Sequence, residues 1–316
     1  MNEKIFDKKA IHQQLKNILK EESILVDEPL KNHTTFLVGG PADFLILPES
    51  IEEVQNSVKL CKNNSIPFYL IGNGSNLLVS DKGYRGIIIK LAKNLSHVEI
   101  VHDNIEKNEV IVKADSGILL EDLSKFIARN GFTGFEFACG IPGTLGGAVA
   151  MNAGAYDGEI KDCIISATVM DLDGNVVSLS REELKLGYRK SVIQEDKLIV
   201  LDASFSFKKG VQQEIDEKIA DLTYKRESKQ PLELPSAGST FKRPEGYYAS
   251  KLIMDANLRG FSYGRASVSE KHCGFVVNNG NCTAEEILIL IQKIIEIIKN
   301  KDGVTLEPEV RILGEF

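Results

Sequence analysis

Residues 139–156, CGIPGTLGGAVAMNAGAY, give nine of their eighteen positions to Gly or Ala. A stretch with so little side-chain volume either lets a helix pack tightly on a sheet or lets backbone approach a flat ligand. Gly140, Gly143, Gly146 and Gly147 permit both, Ile141 and Thr144 stand among them, and Pro142 stiffens the loop. A second glycine loop comes earlier, in IGNGSNLLVS, residues 71–80. Gly72-x-Gly74 after a strand invites comparison with a dinucleotide fingerprint, and the comparison fails. Leu77 stands where a third glycine belongs, and a strand follows in place of a helix. What Gly72, Asn73, Gly74, Ser75 and Asn76 do offer is backbone N–H groups and short side-chain donors, the material of a pyrophosphate nest. Two such loops in one chain point to a large nucleotide cofactor.

Composition limits the alternatives. The chain has 316 residues, 43% apolar and 26% charged, which suits a soluble globular protein of two or three structural units. A net charge of −7 gives nucleic acid or an anionic membrane no global attraction, so an anionic ligand needs a local cationic site. Ile11, Leu15, Ile18 and Leu19 recur at helical spacing with charges between them, unlike a signal peptide. No apolar run approaches a membrane span. A cytoplasmic protein with no nucleic-acid or membrane partner is expected. The five cysteines (Cys61, Cys139, Cys163, Cys273, Cys282) form no CxxC pair, and HExxH is absent, so neither a disulfide nor a protein-ligated metal is expected. His272 and Cys273 read as the start of an apolar strand, KHCGFVVN, where neighbours face opposite ways.

Along the chain, strand and helix patterns alternate without repeats, which predicts an α+β protein. Ser50 with Glu53, and Thr283 with Glu286, are capping-box signatures opening helices. Ser180 with Glu183 predicts a further short helix, and Asp173-Gly174 a hairpin turn. Composition shifts near residue 208. An N-terminal helix over 1–27 and a body to about 208 precede a smaller α/β unit over 209–302. Residues 303–316 end in a strand that needs a sheet to pair with, so a return to the body is expected.

Seven motifs then occur in order: GNGSNLLV (72–79), FEFACGIPGTLGGAVAMNAGAY (135–156), GYRKS (187–191), PSAGSTFKRP (235–244), ASKLIMDANLRG (249–260), VSEKHCGFVVN (268–278) and EPEVRILGE (307–315). Together they resemble the UDP-N-acetylenolpyruvoylglucosamine reductase family, from about residue 28 to the C-terminus. The resemblance implies a vanillyl-alcohol-oxidase-type (PCMH-type) FAD-binding fold of two subdomains, about 28–72 and 73–208, plus the smaller substrate domain. It also implies FAD on the two glycine loops, NADPH as hydride donor and a UDP-sugar substrate in peptidoglycan precursor synthesis. Some flavoproteins of this fold attach the cofactor through His or Cys in the first loop. Residues 71–80 contain neither, so the FAD is expected to be non-covalent. A monomer or weak homo-oligomer is expected.

The implied reaction adds a hydride to an enolpyruvyl double bond, leaving an enolate-like carbanion beside a carboxylate. By resemblance Ser239 is the proton donor, and Arg189 and Glu309 stabilise the enolate. Arg suits a carboxylate through its bidentate fork. Glu309 must hold or share a proton to help an anion, and Glu307, two residues away, is an alternative. Arg226 is expected on the flavin, and Tyr188, Lys229, Lys242 and Arg243 on the substrate. On their own residues, each of these also reads as a turn serine, a surface cation or a strand-end acid. Only fifty residues separate Arg189 from Ser239, so the chain resembles the shorter class lacking an inserted tyrosine loop. The competing readings are a flavin oxidase of the same fold acting on a small alcohol or hydroxy acid, and a passive binder of flavin or UDP-sugar.

Overall fold

A computed structural model of the chain describes residues 6–104, 106 and 108–316, so the first five residues of the expected N-terminal helical segment lie outside the described residues. The chain divides into two units, each assembled from separated stretches. The first takes residues up to Val26, Phe44–Asn73 and Gly86–Tyr224, and the second Asp27–Asp43, Gly74–Arg85 and Lys225–Phe316. Eight helices lie among the described residues: α1 (Lys8–Lys16), α2 (Ile51–Asn63), α3 (Leu120–Arg129), α4 (Leu145–Met151), α5 (Val192–Glu195), α6 (Gln212–Lys229), α7 (Ala249–Asp255) and α8 (Ala284–Asp302). Among the described residues none is long and apolar enough to cross a membrane.

The first unit is organised by an antiparallel sheet in the order Val176–Ser180, Ile164–Met170, Ile199–Lys209, Glu109–Asp115, Val98–Asn104. The hairpin joining its first two strands turns at Gly174, whose φ of +87° suits glycine. Leu123 and Ile127 of α3 and Leu145 and Val149 of α4 are spaced by four, one face of a helix, and bury with Val112 and Phe205 of the sheet. Phe135 packs edge-on against Phe205 and Phe207, with ring centroids 5.7 and 5.8 Å away. A second cluster gathers Leu15, Phe44, Val58, Ile87 and Ile89.

The second unit centres on α8. Its buried positions Ile287, Leu290, Ile291, Ile294 and Ile298 form one apolar stripe against Phe36, Val38, Ile253 and Val276. Thr283 and Glu286 close a full capping box, and the Asp81 carboxylate accepts from the Ala284 and Glu285 amides at 2.9 and 3.0 Å. The C-terminal strand Arg311–Leu313 pairs in parallel with Leu77–Val79.

Local expectations met mixed outcomes. Ser50 caps α2 through the Glu53 amide, but the Glu53 carboxylate takes the Glu49 amide instead of closing the box. Ser180 and Glu183 bond each other across a turn that never winds into a helix. The expected strand around His272 and Cys273 starts only at Val276. Ser269 Oγ accepts from the Lys271 and His272 amides and bends the chain there, a local side-chain bond that competes with the strand. The five cysteines are free thiols, and burial pushes Cys61 up to about 12, which leaves it inert at neutral pH.

Glu136, only 3% exposed, organises the approach to the glycine-rich stretch. Its carboxylate accepts from Thr133 Oγ1 at 2.7 Å and the Gly134 amide at 3.1 Å, and pairs with Lys218 at 3.3 Å. Burial alone opposes its charge, but these donors and the ammonium outweigh burial and hold the carboxyl below its usual range. A depressed folded-state pKa contributes stability above the unfolded value that is lost as pH falls through the folded one. Replacing Glu136 by Gln is therefore expected to lower the urea midpoint at pH 7, with the gap to wild type closing towards pH 3. A gap independent of pH would show that shape, not charge, is what Glu136 supplies.

Candidate active site

In the first unit the loop before α4 is stitched to residues 116–120 by three backbone bonds: Leu120 N to Gly143 O (3.0 Å), Leu145 N to Ile118 O (2.9 Å) and Gly146 N to Ser116 O (2.8 Å). The earlier loop rests on it. A side chain at Gly72 would collide with Thr144 Oγ1, and the Asn73 side chain donates to Pro142 O at 2.7 Å. Gly146 also faces protein, since a Cβ there would stand 3.0 Å from Ser116 Cβ. Close packing therefore accounts for some of these glycines. Gly72 and Gly146 serve close packing. Gly147 is exposed, and a Cβ there would meet only Thr144 Oγ1, at 3.8 Å. Among the described residues, no acceptor takes the amide protons of Gly140, Gly143 or Thr144, and the buried Ser116 hydroxyl has no partner. Buried polar groups are ordinarily paired, so these donors are available to a ligand.

Beyond the other end of α4's sequence lies GYRK. Gly187 and Lys190 exchange backbone bonds of 3.0 and 3.2 Å, which closes a tight turn with Tyr188 and Arg189 at its tip. Arg189 has φ +55°, a left-handed conformation that costs a non-glycine residue about 1–2 kcal/mol. Such strain persists only where surroundings over-determine it. The Arg189 guanidinium lies 5.2 Å from the centroid of the Tyr188 ring, and that ring is 55% exposed.

In the second unit the remaining half of the first loop is held by backbone. Gly74 has φ +64°, and any side chain there would strike the His33 carbonyl. Thr35 N donates to Gly74 O at 3.2 Å. Asn76 binds the C-terminal segment twice, its side chain donating to Glu309 O (3.1 Å) and its carbonyl accepting from Arg311 N (3.0 Å). Among the described residues, no acceptor takes the amides of Gly74, Ser75 or Asn76.

The segment Ser239–Lys242 runs between two others. Thr240 N donates to Gly274 O and Thr240 O accepts from Glu309 N, both at 2.8 Å, while Lys242 N donates to Glu307 O at 2.8 Å. The buried Thr240 hydroxyl accepts from Val276 N at 3.0 Å. Ser239 and Phe275 form an antiparallel bridge, as do Phe241 and Pro308. Ser239 is thus exposed on a backbone fixed from both sides, with Glu309 on the adjoining segment. The Glu307 carboxylate pairs with the Lys242 ammonium, so those two charges offset each other. Arg243 stacks over Tyr248 at 4.0 Å, and Arg226 and Lys229 occupy the last turn of α6, Arg226 reaching Gln230 at 3.4 Å.

The residues singled out in sequence thus fall into two groups. The second half of the first loop, Ser239, Lys242 and Glu309 gather in the second unit. The first half of that loop, residues 140–147 and the Tyr188–Arg189 turn belong to the first. Asn152, Gln194 and Thr240 were not legible as participants. A buried Asn after a helix signals a left-handed cap, but nothing local shows what its side chain reaches.

Residues 42–180 match the family model for an FAD binding domain, and residues 230–313 that for the UDP-N-acetylenolpyruvoylglucosamine reductase C-terminal domain. A UDP-N-acetylenolpyruvoylglucosamine reductase of Lachnoclostridium phytofermentans is 52% identical over 97% of this chain and 98% of its own. One from Clostridioides difficile is 51% identical over 96% of this chain and 98% of its own. The crystal structure of the Thermus caldophilus UDP-N-acetylenolpyruvylglucosamine reductase superposes with a TM-score of 0.77 at 32% identity, covering 92% of this chain and 98% of that one. A 4-ethylphenol oxidase from Gulosibacter chungangensis shares the fold at a TM-score of 0.50 and 16% identity, covering 66% of this chain and 44% of that one. The α+β architecture is accordingly the PCMH-type flavin fold with an added C-terminal domain, and the chain belongs to the UDP-N-acetylenolpyruvoylglucosamine reductase family.

Proposed function

We propose that this protein reduces UDP-N-acetylenolpyruvoylglucosamine to UDP-N-acetylmuramate with NADPH, using a non-covalent FAD, in peptidoglycan precursor synthesis. The observation that carries the reading is the backbone bond from Glu309 N to Thr240 O, which joins the segment carrying Ser239 to the segment carrying Glu309. Family membership supplies the substrate class. The residues present fit FAD: a side chain at Gly147 would meet only Thr144 Oγ1 at 3.8 Å, and among the described residues the amides of Gly74, Ser75, Asn76, Gly140, Gly143 and Thr144 have no acceptor. Gly72–Asn76, Gly140–Thr144, Gly146, Gly147 and Arg226 would hold it. When bound, FAD supplies the relay of a hydride from NADPH to the enolpyruvyl group.

The chain's own residues handle charge and the proton. Arg189 grips the substrate carboxylate with its planar fork, which the enolate needs most as negative charge builds. Glu309 shares a proton with that charge. Ser239 delivers a proton to the carbanion carbon from a segment bonded on both flanks. Arg243 and Lys229 bind the UDP phosphates, with Tyr188 alongside. Lys242 contributes to the same anion binding only to the extent that Glu307 releases it. The reading includes a cytoplasmic location and a monomer or weak homo-oligomer, the latter open to sedimentation.

Gly147→Leu separates ligand lining from packing. It adds bulk to an open helical position where glycine is the poorer helix former by ~1 kcal/mol. The expected result is an unchanged or higher melting temperature without ligand and FAD affinity reduced at least ~10-fold, the equivalent of about 1.4 kcal/mol. Wild-type affinity would remove this face from the flavin site.

Ser239→Ala separates the two halves of the reaction in stopped flow under nitrogen. Bleaching of the flavin by NADPH should stay near the wild-type rate, since no substrate proton is involved. Reoxidation by UDP-N-acetylenolpyruvoylglucosamine should slow by ~10²–10⁴-fold, the usual worth of a positioned general acid. Equal slowing of both halves would reduce Ser239 to a structural turn residue. In the wild type, faster reoxidation by air than by this substrate would mark an oxidase instead.

A further inference from the structure

Asn152 is fully buried and directly follows α4, in a left-handed conformation of φ +43°. Its side-chain nitrogen donates to Glu159 Oε2 at 2.7 Å and to Gly187 O at 3.1 Å, and its oxygen accepts from Lys161 N at 2.9 Å. Gly187 is the base of the turn that carries Arg189. Two more side chains hold the same turn and the same helix end. Ser191 Oγ donates to Ala150 O at 2.6 Å, while Gln194 Nε2 donates to Ala150 O at 2.6 Å and to Arg189 O at 3.2 Å. The strained Arg189 backbone is thus held at its own carbonyl and at the foot of its turn.

At the other end of α4, which Thr144 caps, Leu145 N and Gly146 N donate to Ile118 O and Ser116 O, and Gly147 follows. A helix of α4's length spans about 10 Å and is stiff along its axis. It joins a flavin-lining loop to an arginine-bearing turn, and neither end can move without stretching the bonds described. We propose that Asn152 is a positioning residue for Arg189. Working with Gln194, it clasps the arginine turn to the end of α4, so that the helix sets the register between the flavin and the substrate carboxylate. The inference deepens the proposed function and rests on Arg189 binding that carboxylate.

The competing role is a plain helix cap, which needs only the left-handed backbone. Glycine serves that role as well as asparagine. Asn152→Gly therefore preserves the cap and deletes the clasp. Expected are a wild-type flavin spectrum and a rate of bleaching by NADPH within about twofold of normal. Reoxidation by UDP-N-acetylenolpyruvoylglucosamine should slow ~10–100-fold, as misplacement of a catalytic group commonly costs. The same substitution in an Arg189→Ala background should add less than about twofold, because a clasp has nothing to position once the guanidinium is gone. Normal reoxidation in Asn152→Gly, or losses that multiply independently in the double variant, would overturn the clasp. Normal reoxidation in Arg189→Ala alone would instead overturn the reading of Arg189, a separate result. If Asn152→Gly does not fold, Gln194→Met keeps volume and removes the other donor. It should show the same split between the two half-reactions, and a normal rate of reoxidation would count against the proposal.

Discussion

The contact of Gly72 with Thr144 constrains much of the first unit's functional surface. No side chain fits at residue 72, because Thr144 Oγ1 already stands there, and Asn73 locks the same contact by donating to Pro142 O. Thr144 in turn begins the helix whose far end holds the arginine turn. One close approach of backbone therefore registers the first glycine loop, the second glycine loop and Arg189 in a single chain of contacts. Glycine at 72 is a packing requirement first and a ligand requirement only by consequence.

The second unit fixes its site segment by backbone bonding. Ser239 sits on a short extended segment that forms no named strand, yet its neighbour Thr240 bonds Gly274, Val276 and Glu309 at once. A serine hydroxyl is a weak acid, so its usefulness depends on where it points. Backbone bonding from both flanks fixes the segment that carries it. The Lys242–Glu307 pair beside it is exposed on the glutamate side and adds little stability, and exposed pairs of this kind usually contribute below ~1 kcal/mol. Its consequence is chemical. It occupies the Glu307 carboxylate with the Lys242 ammonium.

One kind of strain recurs at two residues where function is expected. Arg189 and Asn152 both adopt left-handed backbone, and both sit within the same hydrogen-bonded cluster at the end of α4. Conformations of this sort persist only when the packing around them is over-determined, and the bonds from Gln194 and Asn152 provide that here. The cost is local, while the benefit is an arginine with little freedom to wander.

Much was legible in sequence because it depends on neighbours in the chain. The Thr283–Glu286 cap that opens α8 and the turn at Gly174 are both local, and both appear in the structure. The glycine loops and the seven ordered motifs identified the family and its flavin fold for the same reason, being contiguous strings. Tertiary structure decided what depends on distant partners. Asn152 finds Gly187, 35 positions on, and Asn76 finds Glu309, 233 positions on. Whether a given glycine serves packing or ligand was equally invisible, since that turns on what stands opposite: Thr144 in collision range at Gly72, Ser116 at Gly146, and only Thr144 Oγ1 at 3.8 Å at Gly147. Where local chemistry competed with pattern, as when Ser269 captured the Lys271 and His272 amides, the strand pattern lost to the nearer hydrogen bond. A sequence records which groups can donate and accept, but only the folded chain decides which of them meet.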